Sequence, residues 1–116
     1  MYNFEKLKVW QEAMNLAKMV YNLSKELPKD ERFSLVDQLK RAVTSVALNI
    51  AEGSGNNKKV FISFLNIAKR SLYETVTILK LIENLFSIDC KNELEKCDLV
   101  GKLLSGLIKS IESNNP

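Results

Sequence analysis

Residues 38–53 constrain the fold most, because their sequence, QLKRAVTSVALNIAEG, has helical periodicity on two different faces. At about 100° per residue, apolar side chains here fall on one broad arc, as on the core face of a helix. The arc comprises Leu35, Leu39, Ala42, Val43, Val46 and Ile50. A narrow polar stripe beside it comprises Gln38, Arg41, Ser45, Asn49 and Glu52. Short amides, a hydroxyl group and an arginine bordering a core indicate a structural polar network at a helix–helix or subunit seam.

Three breaks in the helical pattern divide the chain into four predicted helices. Pro28 cannot continue a helix, and Asp30 is a good N-cap that the acidic residue after it would support. Gly53 is a candidate C-cap, and the asparagine pair after it can cap the next helix. Asn3 and Asp89 are the other expected caps. The predicted helices span about residues 4–27, 31–53, 58–86 and 91–111, with a frayed end at residues 113–116.

Short connections between long helices predict antiparallel neighbours, and therefore an all-α, up-down-up-down four-helix bundle. The length of 116 residues is enough for one domain with one core, spanning residues 1–116. The alternation of β-branched residues that usually indicates strands is weak throughout the sequence.

The cysteines and the hydropathy pattern predict a cytoplasmic protein without a membrane segment. Cys90 and Cys97 lie two helical turns apart, so their Cα atoms, about 10 Å from each other, are too distant for a disulfide. We therefore expect reduced thiols. The longest uncharged runs, such as residues 42–51, are about half the length that spans a bilayer, and residues 1–10 do not resemble a signal peptide.

The residues usually needed for catalysis are missing. The chain has no histidine, and no serine or cysteine lies in a nucleophile motif. Glu52 and Glu74 lack the Glu-x-x-His elements that hold metal in di-iron bundles. We therefore predict no enzymatic activity, no metal and no cofactor.

Glu74 lies on the same side of the third predicted helix as Ile67, Ser71 and Ile78. A carboxylate in apolar surroundings must be paired or protonated. Folding the second helix back on the third brings Arg41 near the level of Glu74, so we predict an ion pair within one subunit or across a seam. Alternatively, Glu74 reaches water.

A basic stripe occupies the outer face of the third predicted helix. It covers about 120° of arc and roughly 30 Å of length, and it contains no acidic residue. Its members are Lys58, Lys59, Asn66, Lys69, Arg70, Tyr73, Thr77 and Lys80. Such a stripe suits a phosphate backbone, with Tyr73 stacking on a base. Alternatively, the lysines are only solvated. The fourth helix has a mixed-charge face that we expect to be plain solvated surface, formed by Lys91, Glu95, Asp98, Lys102 and Lys109.

The third predicted helix has more apolar surface than one bundle core needs. A heptad-like seam comprises Phe61, Leu65, Ala68, Leu72, Leu79, Ile82 and Phe86. A second set widens it to about half the circumference, comprising Val60, Phe64, Ile67, Ile78, Leu81 and Leu85. The excess predicts a second interface, most simply self-association.

Five motifs together resemble the bacterial 23S rRNA intervening-sequence proteins. They are Phe4-x-x-Leu7-x-Val9-Trp10-Gln11, Leu27-Pro28-x-x-Glu31-x-Phe33-x-Leu35, Gln38-Leu39-x-Arg41-Ala42, Asn49-Ile50-Ala51-Glu52-Gly53 and Phe64-Leu65-x-x-Ala68-x-x-Ser71-Leu72-x-Glu74. The resemblance implies an antiparallel four-helix bundle assembled into a homopentamer. A relative, the accessory variability protein of diversity-generating retroelements, is a basic pentamer that binds nucleic acid. The net charge of +3 is modest beside that type, and Arg70 stands where many relatives have glycine.

The sequence therefore predicts a non-enzymatic homo-oligomer that binds RNA or DNA without sequence specificity. The expected contacts are Lys58, Lys59, Lys69, Arg70 and Lys80, with Tyr73 stacking. The alternative is a protein–protein scaffold whose basic face is only solubilising and whose partner is another protein.

Overall fold

The computed structural model describes the backbone of residues 1–113 and all of their side chains except those of residues 31–33. The described residues form four long α-helices and no strand: α1 (Lys8–Ser24), α2 (Asp37–Ser54), α3 (Lys58–Phe86) and α4 (Lys91–Ser113). The all-α, four-helix prediction is confirmed. Of the frayed end expected at residues 113–116, Ser113 is instead the last residue of α4. Residues 114–116 and the support expected from the Glu31 side chain lie outside what the structure describes.

The first predicted helix is shorter than expected at both ends. A 3-10 turn, Asn3–Lys6, precedes α1, and Leu7 between them is extended, with φ −73° and ψ 125°. Asn3 lies inside the turn and does not cap α1; the Tyr2 N–H instead donates to Glu5 Oε2 at 2.7 Å. At the other end α1 stops at Ser24, although Leu27 is still buried. Apolar spacing alone cannot show where such a segment leaves the α-conformation.

The second helix also begins at a different residue from the one predicted. A 3-10 turn, Lys29–Glu31, and a π-helical turn, Arg32–Val36, precede α2. Asp30 therefore lies within a turn, and α2 begins after Val36 without a side-chain cap. The 3-10, α and π turns differ by only one residue per hydrogen-bonded ring, so a short apolar pattern fits all three.

The sequence suggested that Gly53 ends a helix, but in the structure it lies inside α2. The α2 helix continues to Ser54, with Gly55 as its C-cap. A Cβ atom at Gly53 would lie 2.5 Å from Phe64 Cβ, so glycine is required there for the close approach of α2 to α3. Two caps are as expected. Asn57 Oδ1 accepts from the Val60 N–H at 2.9 Å, and Asp89 Oδ1 accepts from the Lys91 N–H at 2.9 Å.

The helices pack around one core in the order α1, α2, α3, α4, with α4 returning to α1. The largest fully buried side chains at its centre are Leu16, Leu39, Ile50, Leu65, Leu79, Ile82 and Leu104. Cys90 and Cys97 are buried free thiols, as predicted. Among the helices of residues 1–113, none is both long and apolar enough to span a membrane.

Candidate nucleic-acid interface

The basic stripe lies along one side of α3. Seven of its eight members are exposed, and Lys69 is half-buried. Tyr73, near the middle of the stripe, keeps 60% of its surface exposed. Thr77 Oγ1 donates to the Tyr73 backbone carbonyl at 2.8 Å, so this hydroxyl is already bonded within the helix. The Asn57 cap fixes the start of α3, directly before Lys58 and Lys59. The structure thus presents the predicted cations along one helix.

The stripe borders a groove of about 540 Å³ between α3 and α4. Its α3 side is formed by Lys69, Leu72, Tyr73 and Val76, and its α4 side by Cys97, Asp98, Gly101, Lys102, Ser105, Gly106 and Lys109. We call this the α3–α4 groove. It was not anticipated, because Lys102 and Lys109 were expected on plain solvated surface. They remain exposed, but they line the same groove as Lys69 and Tyr73.

The glycines of α4 are the sequence signal that could have indicated this groove. Gly106 has open space on its Cβ side, with no atom within 4 Å, and a Cβ at Gly101 would only touch Leu72, at 3.4 Å. Without side chains at these two positions, the space between α3 and α4 remains open. A helix face that combines glycine with lysine therefore differs from an ordinary solvated face.

Cys97 is the thiol among the side chains that line the groove. Burial raises the pKa of the Cys97 thiol to about 12, with a smaller contribution from Asp98 and Glu93. The thiol is therefore protonated at neutral pH and unreactive. Among the described side chains, which leave out residues 31–33 and 114–116, no group of three or more histidine, cysteine, aspartate or glutamate residues is arranged to hold a metal ion. The groove can offer charge, a ring face and space, which are the means of non-covalent binding.

The predicted polar network is only partly present. Asn49 Nδ2 donates to the Ser45 carbonyl at 2.8 Å and to Ser45 Oγ at 2.9 Å, and Ser71 Oγ donates to Ser45 Oγ at 2.9 Å. Thr75 Oγ1 donates to the Ser71 carbonyl at 2.9 Å. We call Ser45, Asn49, Ser71 and Thr75 the seam cluster, since it joins α2 to α3. Sequence reasoning included Ser45 and Asn49 but missed the two hydroxyls of α3.

The other three residues of the predicted polar stripe, and Glu74, the predicted partner of Arg41, point to solvent. Gln38, Arg41, Glu52 and Glu74 are all exposed. Among the described residues of a single chain, no ion pair joins Arg41 to Glu74. The within-subunit version of that prediction is therefore wrong: Glu74 lies on the outer flank of α3, where water solvates its carboxylate. The version across a subunit seam stays a prediction.

The second apolar set of α3 divides in the structure. Ile78 is buried and belongs to the core, whereas Leu81 and Leu85 are 42% and 63% exposed. Val60, Phe64 and Ile67 are half-buried. We call Val60, Phe64, Ile67, Leu81 and Leu85 the apolar strip. By helical periodicity it lies on the flank of α3 that carries Ser71, next to α2, and away from the α3–α4 groove.

A buried carboxylate at the α1–α4 seam, that of Glu12, was missed by the sequence analysis. Glu12 is only 8% exposed; it accepts from Lys96 Nζ at 2.9 Å and from Asn15 Nδ2 at 3.2 Å, and Lys8 Nζ lies 3.3 Å away. The hydrogen bonds from Lys96 and Asn15 lower the pKa of Glu12 to about 2, against the opposing effect of burial. The local sequence around Glu12 cannot indicate its pairing with Lys96, because the two residues are far apart in the chain.

These features define a four-helix-bundle protein with a cationic groove along one side. The chain matches the family model of the 23S rRNA-intervening sequence protein over residues 5–106, and it belongs to that family. The predicted family is thus confirmed. A similar solved structure is a protein of unknown function from the S23 ribosomal protein family of Bacteroides thetaiotaomicron. It is 28% identical, with a TM-score of 0.77, over 87% of this chain and 95% of that chain. A search of curated proteins found no match.

Proposed function

We propose that this protein is a non-enzymatic, oligomeric nucleic-acid-binding protein that contacts RNA or DNA without sequence specificity. The observation that carries the proposal is the continuity of positive charge from the exposed stripe of α3, across the α3–α4 groove, to Lys102 and Lys109. Lysine and arginine side chains in such a row displace the counterions of a phosphate backbone, and the released ions drive binding. The family name, which refers to 23S rRNA, is consistent with an RNA ligand.

The mechanism assigns two kinds of contact. Lys58, Lys59, Lys69, Arg70 and Lys80 neutralise phosphates, and Tyr73 offers its exposed ring to a base. Phosphates and the faces of bases are present in every sequence, so we expect the same affinity for different sequences of equal length.

The proposal includes an antiparallel up-down-up-down bundle that self-associates in the cytoplasm, with five copies as the family resemblance implies. Only residues 55–57 separate α2 from α3, and only residues 87–90 separate α3 from α4, which favours antiparallel neighbours. Leu81 and Leu85 of the apolar strip are exposed and need a partner surface. A second copy would cover them and could place Arg41 of one subunit near Glu74 of the next.

A protein–protein scaffold is the second candidate. The apolar strip favours it, because Leu81 and Leu85 could dock another protein instead of a second copy. In that case the basic stripe would only keep the assembly in solution. Docking on an apolar surface should vary little with ionic strength, whereas phosphate binding should weaken steeply.

The test is the solution mass by light scattering, with and without a short mixed-sequence RNA or DNA, at 50 and 200 mM salt. Five phosphate contacts predict an affinity loss of about 100-fold between these concentrations. A mass near five chains that gains salt-sensitive nucleic acid supports the proposal. A pentamer that binds neither nucleic acid favours the scaffold, and a clean monomer contradicts self-association.

A charge-matched pair of variants separates the stripe from overall charge. The double variant Lys69→Glu, Arg70→Glu should weaken binding by about 10- to 100-fold, since it removes two phosphate contacts and adds repulsion. The control, Lys18→Glu with Lys29→Glu, makes the same change in net charge at exposed positions of α1 and of the turn after it. Equal losses in both variants would mean that net charge, not the stripe, governs binding.

A further inference from the structure

We propose that the α3–α4 groove binds one unpaired nucleic-acid strand, so that the protein prefers single-stranded RNA or DNA over a duplex. This inference rests on the proposed function and narrows its ligand. It assigns a role to Lys102 and Lys109, which lie outside the α3 stripe, and to the glycines beside them.

The charge of the groove suits a phosphate chain. Lys69 of α3 and Lys102 and Lys109 of α4 line it, with Asp98 as the one acidic residue among its lining side chains. Three cations on two facing helices can contact phosphates from both sides, whereas the α3 stripe alone can contact only one side of a strand. The Asp98 carboxylate at one end leaves the part between Lys102 and Lys109 the more favourable for anions.

The aromatic side chain at the edge of the groove favours unpaired bases. Tyr73 lines the groove and is 60% exposed, so most of its surface is available to a ligand. A base can stack on such a ring only when its own face is free, as in a single strand. Bases inside a duplex are already stacked on each other, so a duplex could contact the lysines but not the ring.

The floor of the groove leaves room for a base. Gly101 and Gly106 contribute no side chain, and a Cβ atom added at Gly106 would meet no other atom within 4 Å. The volume of about 540 Å³ is within the range of small-ligand sites. Leu72 and Val76 add an apolar wall. A groove with an apolar wall, an open floor and cations at its rim fits a base with its phosphates.

The groove would remain accessible in an oligomer built on the apolar strip. Ser71 on one flank of α3 bonds to Ser45 of α2, whereas Lys69 and Tyr73 on the other flank line the groove with α4. Burial of Leu81 and Leu85 against a second copy would therefore leave the α4 side of α3 open to a ligand.

The experiment measures fluorescence anisotropy of a labelled 12-nucleotide oligothymidine, an oligouridine of the same length and a 12-base-pair duplex, at 50 mM salt. Gly106→Leu fills the groove without changing charge, and Ser110→Leu is the control, since Ser110 is exposed on α4 outside the groove lining. Circular dichroism checks that both variants are folded. A third variant, Tyr73→Leu, removes the ring.

We expect both single strands to bind at least tenfold more tightly than the duplex. Gly106→Leu and Tyr73→Leu should each weaken single-strand binding about tenfold and leave duplex binding within threefold, while Ser110→Leu changes neither. Equal binding of single strands and duplex, or no effect of Gly106→Leu on a folded protein, would overturn the groove inference alone. Absence of binding to all three probes would overturn the proposed function as well. Tighter binding of oligouridine than oligothymidine would support the inference and identify RNA as the ligand.

Discussion

The two flanks of α3 differ in how they meet their neighbours. Towards α2 the contact is close and internally bonded, with the seam cluster beside a glycine that lets the helices approach. Towards α4 the helices leave a groove of about 540 Å³, lined by lysines and a tyrosine. One flank therefore serves packing, and the other has the charge and space to bind a ligand.

Glycine has opposite meanings on these flanks. At Gly53 a Cβ atom would lie 2.5 Å from Phe64 Cβ, so the space that a side chain would need is occupied by the neighbouring helix. At Gly106 a Cβ would meet nothing within 4 Å, so the missing side chain leaves open space. The difference shows that a helical glycine must be read together with its partner helix before it is assigned a structural or a binding role.

Substituting these two glycines should give the largest difference in stability between the two flanks of α3. Gly53→Ala should destabilise the fold by about 2–3 kcal/mol, because Phe64 Cβ belongs to the stiff part of its side chain and the two helices must separate. Gly106→Ala should instead stabilise by roughly 0.5–1 kcal/mol, since alanine is the better helix former and no atom opposes it. Urea unfolding at fixed protein concentration measures both. Equal effects of the two substitutions would contradict the assignment of one flank as closed and the other as open.

The caps and the groove show which parts of the molecule a sequence can predict. Asn57 and Asp89 were correctly identified, because a cap depends on backbone groups two or three residues away. The position of Lys102 in the same groove as Tyr73 was not, because it depends on how α3 and α4 rotate about their axes. Gly53 shows a third case: its position near a helix end suits a C-cap and a close approach equally, and only the packing of Phe64 decides.

The α4 helix repeats the contrast, since it is open towards α3 but linked to α1 by Glu12 and Lys96. Glu12→Gln should therefore destabilise the fold by about 1–2 kcal/mol at neutral pH. This is less than for a fully buried pair, because Lys8 and part of Lys96 are in water. The control Lys102→Gln, on the open side, should change stability by less than about 0.5 kcal/mol. If Lys102→Gln reduced stability more than Glu12→Gln, the side of α4 that faces α3, and not the side that faces α1, would be the one held by a side-chain link.

The same carboxylate predicts a pH dependence. Its pKa is about 2 in the folded protein, below the ordinary value of 4.5, so the folded state favours the ionised form. The stabilisation is complete above the unfolded-state pKa and is lost as pH falls from about 4.5 towards 2. The stability difference between the unsubstituted protein and Glu12→Gln should therefore be constant near neutrality and shrink across this window. A difference that stays constant down to pH 2 would show that Glu12 is not the group responsible.

The smallest effect is expected in the seam cluster, where it tests whether the closed flank acts as one unit. Ser45 Oγ accepts from both Asn49 and Ser71, so Ser45→Ala should cost about 1 kcal/mol and Ser71→Ala slightly less. Because the two hydroxyls share one hydrogen bond, the double variant should lose roughly 0.5 kcal/mol less than the sum of the single losses. Urea unfolding of all four proteins measures this coupling. Thr75→Ser keeps the hydroxyl that donates to the Ser71 carbonyl and serves as a control outside the shared bond. Strictly additive losses would mean that the bond between Ser45 and Ser71 contributes nothing to the packing of α2 against α3.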